Sequence, residues 1–200
     1  MKKDRLVYIT KISVLAVISA LLMLLEFPLP FAPSFYELDL SEIAVLIAGF
    51  ALGPLAGVLT EFIKILLNLI MNGTATAFVG EISNFFIGVS FVLPASVIYK
   101  YRKSFTGAVI GMIAGTLSLT VIGSGFNYFI LIPAYAKMLI PMETIIAMGN
   151  KVNHNINGLL SLVLFATVPF NLIKGVICSV VTALVYKRVS PILHKDFKKK

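Results

Sequence analysis

Residues 6–27, with the sequence LVYITKISVLAVISALLMLLEF, are apolar over a length that suits a membrane better than a soluble domain. An α-helix needs about 20 predominantly apolar residues to cross the hydrocarbon core of a bilayer. No small-residue cleavage pattern follows this run, so we expect it to stay in place as a first spanning helix and not to act as a cleaved signal peptide. Similar runs repeat along the chain.

The composition indicates the same fold class. Of 200 residues, 58% are hydrophobic and only 13% are charged, and the mean hydropathy is +0.97. A soluble domain of this length needs more charge to cover its surface. The sequence therefore predicts an all-α integral membrane protein, in a single domain over residues 1–200, whose surroundings are the lipid bilayer.

Six transmembrane helices are predicted from the apolar runs and the breaks between them. They span approximately residues 6–27, 41–52, 55–71, 81–99, 105–132 and 169–186. The second is short for a span, which indicates a tilted or irregular helix. Residues 133–168 are predicted to form a long outer loop with a short interfacial helix near residues 142–149. A seventh span over residues 156–170 is the less favoured alternative, because Pro169 and Asn171 interrupt that run.

The basic residues predict the orientation. Thirteen of the 17 Lys and Arg residues lie within residues 2–11, 100–103 and 187–200. Positively charged loops are retained on the cytoplasmic side of a membrane. Six spans place all three segments on that side, so both termini are expected in the cytoplasm, and only Lys137 and Lys151 fall outside. This pattern accounts for the net charge of +8, and no nucleic-acid partner is predicted.

In this orientation, polar residues from several helices share one depth near the outer membrane surface. Polar groups inside a span are costly and are usually functional or paired. The residues at this level are Asp39, Glu42, Glu81, Asn84, Asn127, Tyr128, Asn171 and Lys174. Their convergence predicts an outward-facing site for a partly polar solute. The alternative is that each is satisfied by a neighbouring helix or by water.

Glu61 and Lys64 are three residues apart on one face of the third predicted helix, in mid-membrane. Opposite charges at this spacing neutralise each other. We predict a structural ion pair, and a proton relay is the alternative.

Two patterns of small residues predict close helix contacts. Glycines recur at 107, 111 and 115, and alanines at 16 and 20, each four residues apart. This spacing removes side-chain bulk from one stripe of a helix and lets another helix approach. The glycine stripe is predicted to pack inside the chain. The alanine pair is compatible with internal packing or with an outer docking face.

No motif for chemistry is found. The sequence has no Walker A motif, no His/Cys metal spacing and no nucleophile–base constellation. The two histidines, His154 and His194, are expected in the outer loop and the tail, and the single cysteine, Cys178, is expected to be a buried small hydrophobe. No catalytic residue, metal or cofactor is predicted, and an enzyme is not expected. If the chain transports a solute, the energy must come from elsewhere.

Several stretches resemble a known family. Residues 28–43 (PLPFAPSFYELDLSEI), 48–58 (AGFALGPLAGV) and 61–64 (EFIK) resemble the substrate-binding S components of energy-coupling factor (ECF) vitamin transporters. Residues 168–175 (VPFNLIKG) look like the riboflavin-specific RibU type. The resemblance covers nearly the whole chain, including the six helices and the basic ends.

The resemblance implies high-affinity binding of riboflavin, as a transported ligand and not as a cofactor, in a bacterial cell membrane. It implies uptake together with the transmembrane coupling subunit EcfT and two ATP-binding subunits. The implied pocket is formed by the loop after the first helix and by the last three helices. Its residues would be Asp39, Leu40, Thr76, Ala77, Phe78, Asn127 and Lys174, with Asn84 and Asn171 from the same polar level. Ala16 and Ala20 match the family's Ala-x-x-x-Ala motif, implicated in docking to the coupling subunit.

The chemistry of riboflavin agrees with this set. Its ring is flat and apolar on its faces and carries carbonyl and imide groups on one edge, for which Asn127 offers a donor and an acceptor and Lys174 offers donors. The alternatives are an S component for another vitamin, such as thiamine or biotin, an autonomous proton-coupled secondary transporter that uses Glu61 and Lys64, or an intramembrane enzyme.

Overall fold

The computed structural model describes residues 2–74 and 76–194, most of which are helical. The helices are α1 (Lys2–Met23), α2 (Glu42–Leu52), α3 (Pro54–Asn72), α4 (Val79–Tyr101), α5 (Phe105–Phe126), α6 (Ile132–Met138), α7 (Met142–Val152), α8 (Leu159–Leu162) and α9 (Val168–His194). In the loop before α2, strand β1 (Phe27–Pro28) pairs antiparallel with β2 (Glu37–Leu38). The end of the basic tail, residues 195–200, lies outside the described residues.

Five helical segments within the described residues are long and apolar enough to cross a membrane. They are Asp4–Met23, Pro54–Asn72, Val79–Tyr101, Phe105–Met138 and Leu159–Tyr186. The remaining predicted span is α2, which has only 11 residues and is buried along nearly its whole length. A helix that is apolar on all sides belongs inside a bundle. The structure therefore supports a helical membrane protein, and the sixth crossing stays a prediction.

The long outer loop predicted over residues 133–168 is wrong at both ends. The fifth predicted helix continues to Met138, and the last begins at Leu159 instead of Pro169, so much of the disfavoured residues 156–170 is helical. The short helix expected near residues 142–149 is present as α7.

Two π-helical turns explain why the prolines do not end these helices. The turns span Asn127–Leu131 and Val163–Thr167, and each is followed within two residues by a proline, Pro133 or Pro169. Proline normally breaks a helix because it lacks an N–H group and collides with the preceding turn. The wider π turn relieves that collision and changes the hydrogen-bond partners of the backbone, so the helix continues.

The glycine stripe of α5 packs inside the chain, as predicted. A Cβ atom added to Gly111 would lie 2.5 Å from the backbone oxygen of Ala95, and one added to Gly115 would lie 2.6 Å from that of Phe91. Both oxygens belong to α4, so the glycines let the two helix backbones touch. This contact runs antiparallel and places the start of α4 beside the end of α5, where the polar residues converge.

Gly111→Ala is expected to lower the free energy of unfolding by about 1–2 kcal/mol, because the added methyl group meets rigid backbone. Gly125→Ala is the matched control on the same helix, since a Cβ atom there meets no described heavy atom within 4 Å. Alanine favours helix more than glycine does, so the control should be neutral or stabilising. Thermal unfolding in detergent compares them, and equal midpoints would contradict the packing role.

Of the two alternatives for Ala16 and Ala20, the structure supports internal packing, and docking to a partner subunit at these alanines stays a prediction. The two alanines are 0% and 1% exposed, on the side of α1 that packs against α2 and α3. Ser19, on the same face, donates a hydrogen bond from its hydroxyl to the backbone oxygen of Ser41 at 2.8 Å. A small-residue stripe permits close approach of any helix, and here the neighbours are in the same chain.

Candidate ligand-binding site

A cavity of about 320 Å³ opens where the loop before α2 meets the α3–α4 loop, the start of α4, the end of α5 and the start of α9. Its volume lies within the range of small-molecule sites. The lining combines aromatic, amide and charged side chains. Those used below are Glu26, Tyr36, Glu37, Asp39, Thr76, Glu81, Asn84, Asn127, Phe170, Asn171 and Lys174.

Most of the predicted contact residues line this cavity, although they come from distant parts of the chain. Those that do are Asp39, Thr76, Asn84, Asn127, Asn171 and Lys174. Three do not line it in this structure, and their contact with a ligand stays a prediction. Leu40 packs against the hydrophobic core, whereas Ala77 and Phe78 are exposed. The last two have left-handed backbone, with φ of 48° and 69°, so the loop turns sharply there and its contact with the cavity is made by Thr76.

Lys174 and Asp39 form an ion pair in the cavity wall. The Lys174 Nζ lies 2.8 Å from Asp39 Oδ2, and the backbone N–H of Ser41 donates to Asp39 Oδ1 at 2.8 Å. Both side chains are largely shielded from solvent, where an isolated charge is costly. The pair holds the loop before α2 against α9, and it leaves the remaining ammonium hydrogens of Lys174 available to a bound molecule.

Tyr36 was missed by the sequence analysis, although it is central to the opposite wall. Its hydroxyl donates to Asn127 Oδ1 at 3.0 Å and lies 2.6 Å from the hydroxyl of Thr167. Its ring stacks on Phe170, with centroids 5.1 Å apart. Asn127 also donates to the backbone oxygen of Gly123 at 2.8 Å. The sequence feature that could have indicated Tyr36 is its place in a Pro-rich loop, three positions before the predicted contact Asp39.

The mouth of the cavity is acidic. Thr76 donates a hydrogen bond to Glu81 Oε2 at 2.9 Å and accepts one from the backbone of Gly80. Glu26 and Glu37 lie in the loop on the other side. Partial burial, together with the neighbouring carboxylates of Glu37 and Asp39, raises the pKa of Glu26 above its ordinary value. Carboxylates accept hydrogen bonds from hydroxyl groups and repel anions, so the mouth favours a hydroxylated ligand without negative charge.

A larger cleft of about 550 Å³ lies elsewhere on the bundle, beside the turn between α2 and α3 and the end of α4. It contains none of the predicted contact residues. Of these two openings, the smaller cavity is the one in which polar side chains from many elements converge, and convergent polar groups distinguish a binding site from a surface groove. We therefore assign the candidate site to the smaller cavity.

The predicted ion pair of Glu61 and Lys64 is present, and it has a third member. Lys64 Nζ lies 2.7 Å from Glu61 Oε2 and 2.8 Å from Glu42 Oε1, and it also donates to the hydroxyl of Ser41 at 3.2 Å. All three charged side chains are nearly inaccessible to solvent. The cluster lies outside the ligand cavity and ties α2 to α3.

A family model described as the substrate-specific component of ECF transporters matches residues 7–186. The chain belongs to this family. One protein similar to this chain is the riboflavin transporter RibU of Staphylococcus aureus (strain TCH60). The two are 35% identical over 92% of this chain and 90% of that one. Another is the riboflavin transporter FmnP of Bacillus subtilis (strain 168), 32% identical over 98% of this chain and 97% of that one.

A solved structure supports the family assignment of this S component. It was described as the structure and mechanism of the S component of a bacterial ECF transporter, and it matches with a TM-score of 0.75 and 33% identity. The match covers 96% of this chain and 99% of the solved one. The similarity therefore extends over the whole bundle, including the elements that form the cavity.

Proposed function

We propose that this S component binds riboflavin in the cavity between α4, α5 and α9 and mediates its uptake into the cell. The observation that carries the proposal is the meeting of Asn127, Asn171 and Lys174 in one cavity beside the stacked rings of Tyr36 and Phe170. The names of the two bacterial relatives support the same ligand.

The proposed contacts follow from the chemistry of the lining. An aromatic wall suits the flat flavin ring, and the amide and ammonium groups can meet the polar edge of that ring. The ribityl chain is a row of hydroxyl groups, which the carboxylates at the mouth can accept. The proposed contact residues are Asp39, Thr76, Asn84, Asn127, Asn171 and Lys174, joined by Tyr36 and Phe170.

The other vitamins fit less well. The acidic mouth opposes the carboxylate of biotin, while the names of the relatives favour riboflavin over thiamine. An autonomous proton-coupled transporter has less support, because Glu61 and Lys64 are 0% and 1% exposed and do not line the cavity.

A titration of the purified protein tests the ligand. Riboflavin fluorescence should be quenched on binding with one site per chain, and excess thiamine or biotin should not displace it. Binding of thiamine or biotin without riboflavin binding would replace the proposed ligand with another vitamin. Binding of none of the three would refute the vitamin site.

We further propose that transport requires the coupling subunit EcfT and two ATP-binding subunits, in a bacterial plasma membrane. The family description, a substrate-specific component, supports a role as one part of a larger assembly. Cells that contain this chain but lack the ATP-binding subunits should bind riboflavin without accumulating it. Accumulation by this chain alone in vesicles would favour the autonomous transporter.

The proposed topology has six crossings, with α2 as the short one and both termini in the cytoplasm. Cys178 is the only cysteine of the sequence and is buried, so single cysteines introduced elsewhere can be labelled selectively. A cysteine at Lys103 is expected to react with a membrane-impermeant maleimide only in inside-out vesicles, and one at Lys151 only in intact cells. The reverse pattern would invert the orientation and move the site to the cytoplasmic side.

A further inference from the structure

We propose that Glu42 and Glu61 form a buried proton-binding site in which the two carboxyl groups share one proton. The site lies beside the ligand cavity and is not part of its lining. It does not depend on riboflavin as the ligand, because the groups that define it belong to the interior of the bundle.

The geometry brings the two carboxyl groups together around a single cation. Each has one oxygen within 2.8 Å of Lys64 Nζ. Glu42 Oε1 accepts a hydrogen bond from that ammonium group, whereas Glu61 Oε2 contacts it as an ion pair without a hydrogen bond. The other two oxygens, Glu42 Oε2 and Glu61 Oε1, are buried and have no hydrogen-bond partner among the described residues. Gly88 of α4 makes room for one oxygen of each carboxyl group, Glu61 Oε1 and Glu42 Oε1. A Cβ atom there would collide with Glu61 Oε1 and lie 2.9 Å from Glu42 Oε1.

The charges around the pair do not balance without a proton. Asp39, from the loop, and Lys174, from α9, neutralise each other. Cys178 of α9 is a buried thiol, and α4 presents Asn84 and Gly88, which carry no charge. On α1, the side chains described as buried include no titratable group.

Two carboxylates therefore face one ammonium group, which leaves one negative charge in a site that excludes water. A buried charge without a counter-charge is strongly unfavourable, and a carboxylate in that position takes up a proton instead. Because both carboxyl groups contact the same ammonium group, uptake of this proton is a property of the pair and is not assigned to either one alone.

A small void lies beside Glu42, between the charged cluster and the residues that line the ligand cavity. It has a volume of about 10 Å³ and is lined by Glu42, Lys64, Asn84 and Lys174, among others. This is close to the room that one water molecule needs, and Asn84 and Lys174 also line the ligand cavity. A metal cation does not suit the void, because two ammonium groups line it.

Infrared difference spectroscopy of the purified full-length protein near pH 7 tests the proposal. The wild type should show the C=O stretch of a protonated carboxylic acid, shifted in D₂O. Glu42→Gln and Glu61→Gln should each abolish the band, because either change leaves one carboxylate facing one ammonium group. Glu143→Gln, at an exposed position on α7, should leave it unchanged. Absence of the band in the wild type, or its persistence in both Glu42→Gln and Glu61→Gln, would overturn the proposal.

The pH dependence of stability provides an independent test. An unfolded glutamic acid loses its proton above about pH 4.3, whereas the folded pair retains one. The folded state then binds more protons, so stability should fall as pH rises through the neutral range. The thermal midpoint in detergent should show this fall in the wild type and lose most of it in Glu61→Gln. An identical fall in both proteins, or a dependence on sodium in place of pH, would contradict the shared proton.

Discussion

Lys64→Met is expected to lower the free energy of unfolding by about 3–5 kcal/mol, the usual effect of removing one partner from a buried ion pair. Lys64 is 1% exposed and is the counter-charge within reach of both Glu42 and Glu61. Methionine keeps a similar length and removes only the charge and its hydrogen bonds. Both carboxyl groups are then left in a dry interior with no cation, and the fold must protonate them or expose them to water.

Denaturation of the purified protein in detergent measures this change. Lys151→Met is the control, because Lys151 is exposed on α7 and surface substitutions usually change stability by less than about 0.5 kcal/mol. Adding Glu42→Gln and Glu61→Gln to Lys64→Met should recover a large part of the loss. A Lys64→Met protein as stable as the wild type would show that the cluster does not hold α2 to α3.

Lys174→Met is expected to weaken riboflavin binding by about 1–3 kcal/mol, or roughly 5–150-fold in affinity. A charge-assisted hydrogen bond to the ligand is lost, and Asp39 is left in the cavity wall without the ammonium group that lies 2.8 Å away. The prediction rests on the proposed ligand, and the same fluorescence titration measures it. Lys151→Met again provides the control, since it removes a lysine that does not line the cavity.

A double variant separates the two roles of Lys174. Asp39→Asn combined with Lys174→Met removes both charges, so the cavity wall should regain stability. If Lys174 contacts the ligand, affinity stays low in the double variant. Full recovery of affinity would mean that Lys174 acts only by neutralising Asp39.

The helices could be predicted from the sequence because lipid demands long apolar segments with internal hydrogen bonds. The end of the fifth predicted helix and the start of the sixth could not be predicted in this way. Pro133 and Pro169 have the same local signature as prolines that end helices, and whether a π turn relieves them depends on the packing of neighbouring helices. Ala16 and Ala20 show the same ambiguity. Their spacing indicates a close contact, but it does not say whether the partner is another helix of this chain or another subunit.

The site could be predicted in part because the orientation of the spanning helices fixes the depth of each residue in the membrane. Asp39, Asn127 and Lys174 reach the same level once the spans are assigned, so their convergence follows from topology. The topology does not give their positions within the plane of the membrane. It also does not give the pairing of Asp39 with Lys174, which are 135 residues apart. Tyr36 lies in an irregular loop where no periodicity indicates the direction of a side chain. The exposed positions of Ala77 and Phe78 likewise depend on a sharp turn that the sequence does not show.

The ion pairs also bear on how the chain is assembled as it leaves the ribosome. Glu61 and Lys64 lie on one helix, so α3 can enter the bilayer carrying its own counter-charge. Asp39 is synthesised early, but its cation resides on the last helix. A nascent chain that ends before α9 therefore holds an acid with no cation of its own at that position. The contact that holds the loop before α2 against α9 can therefore form only after the final segment has been made.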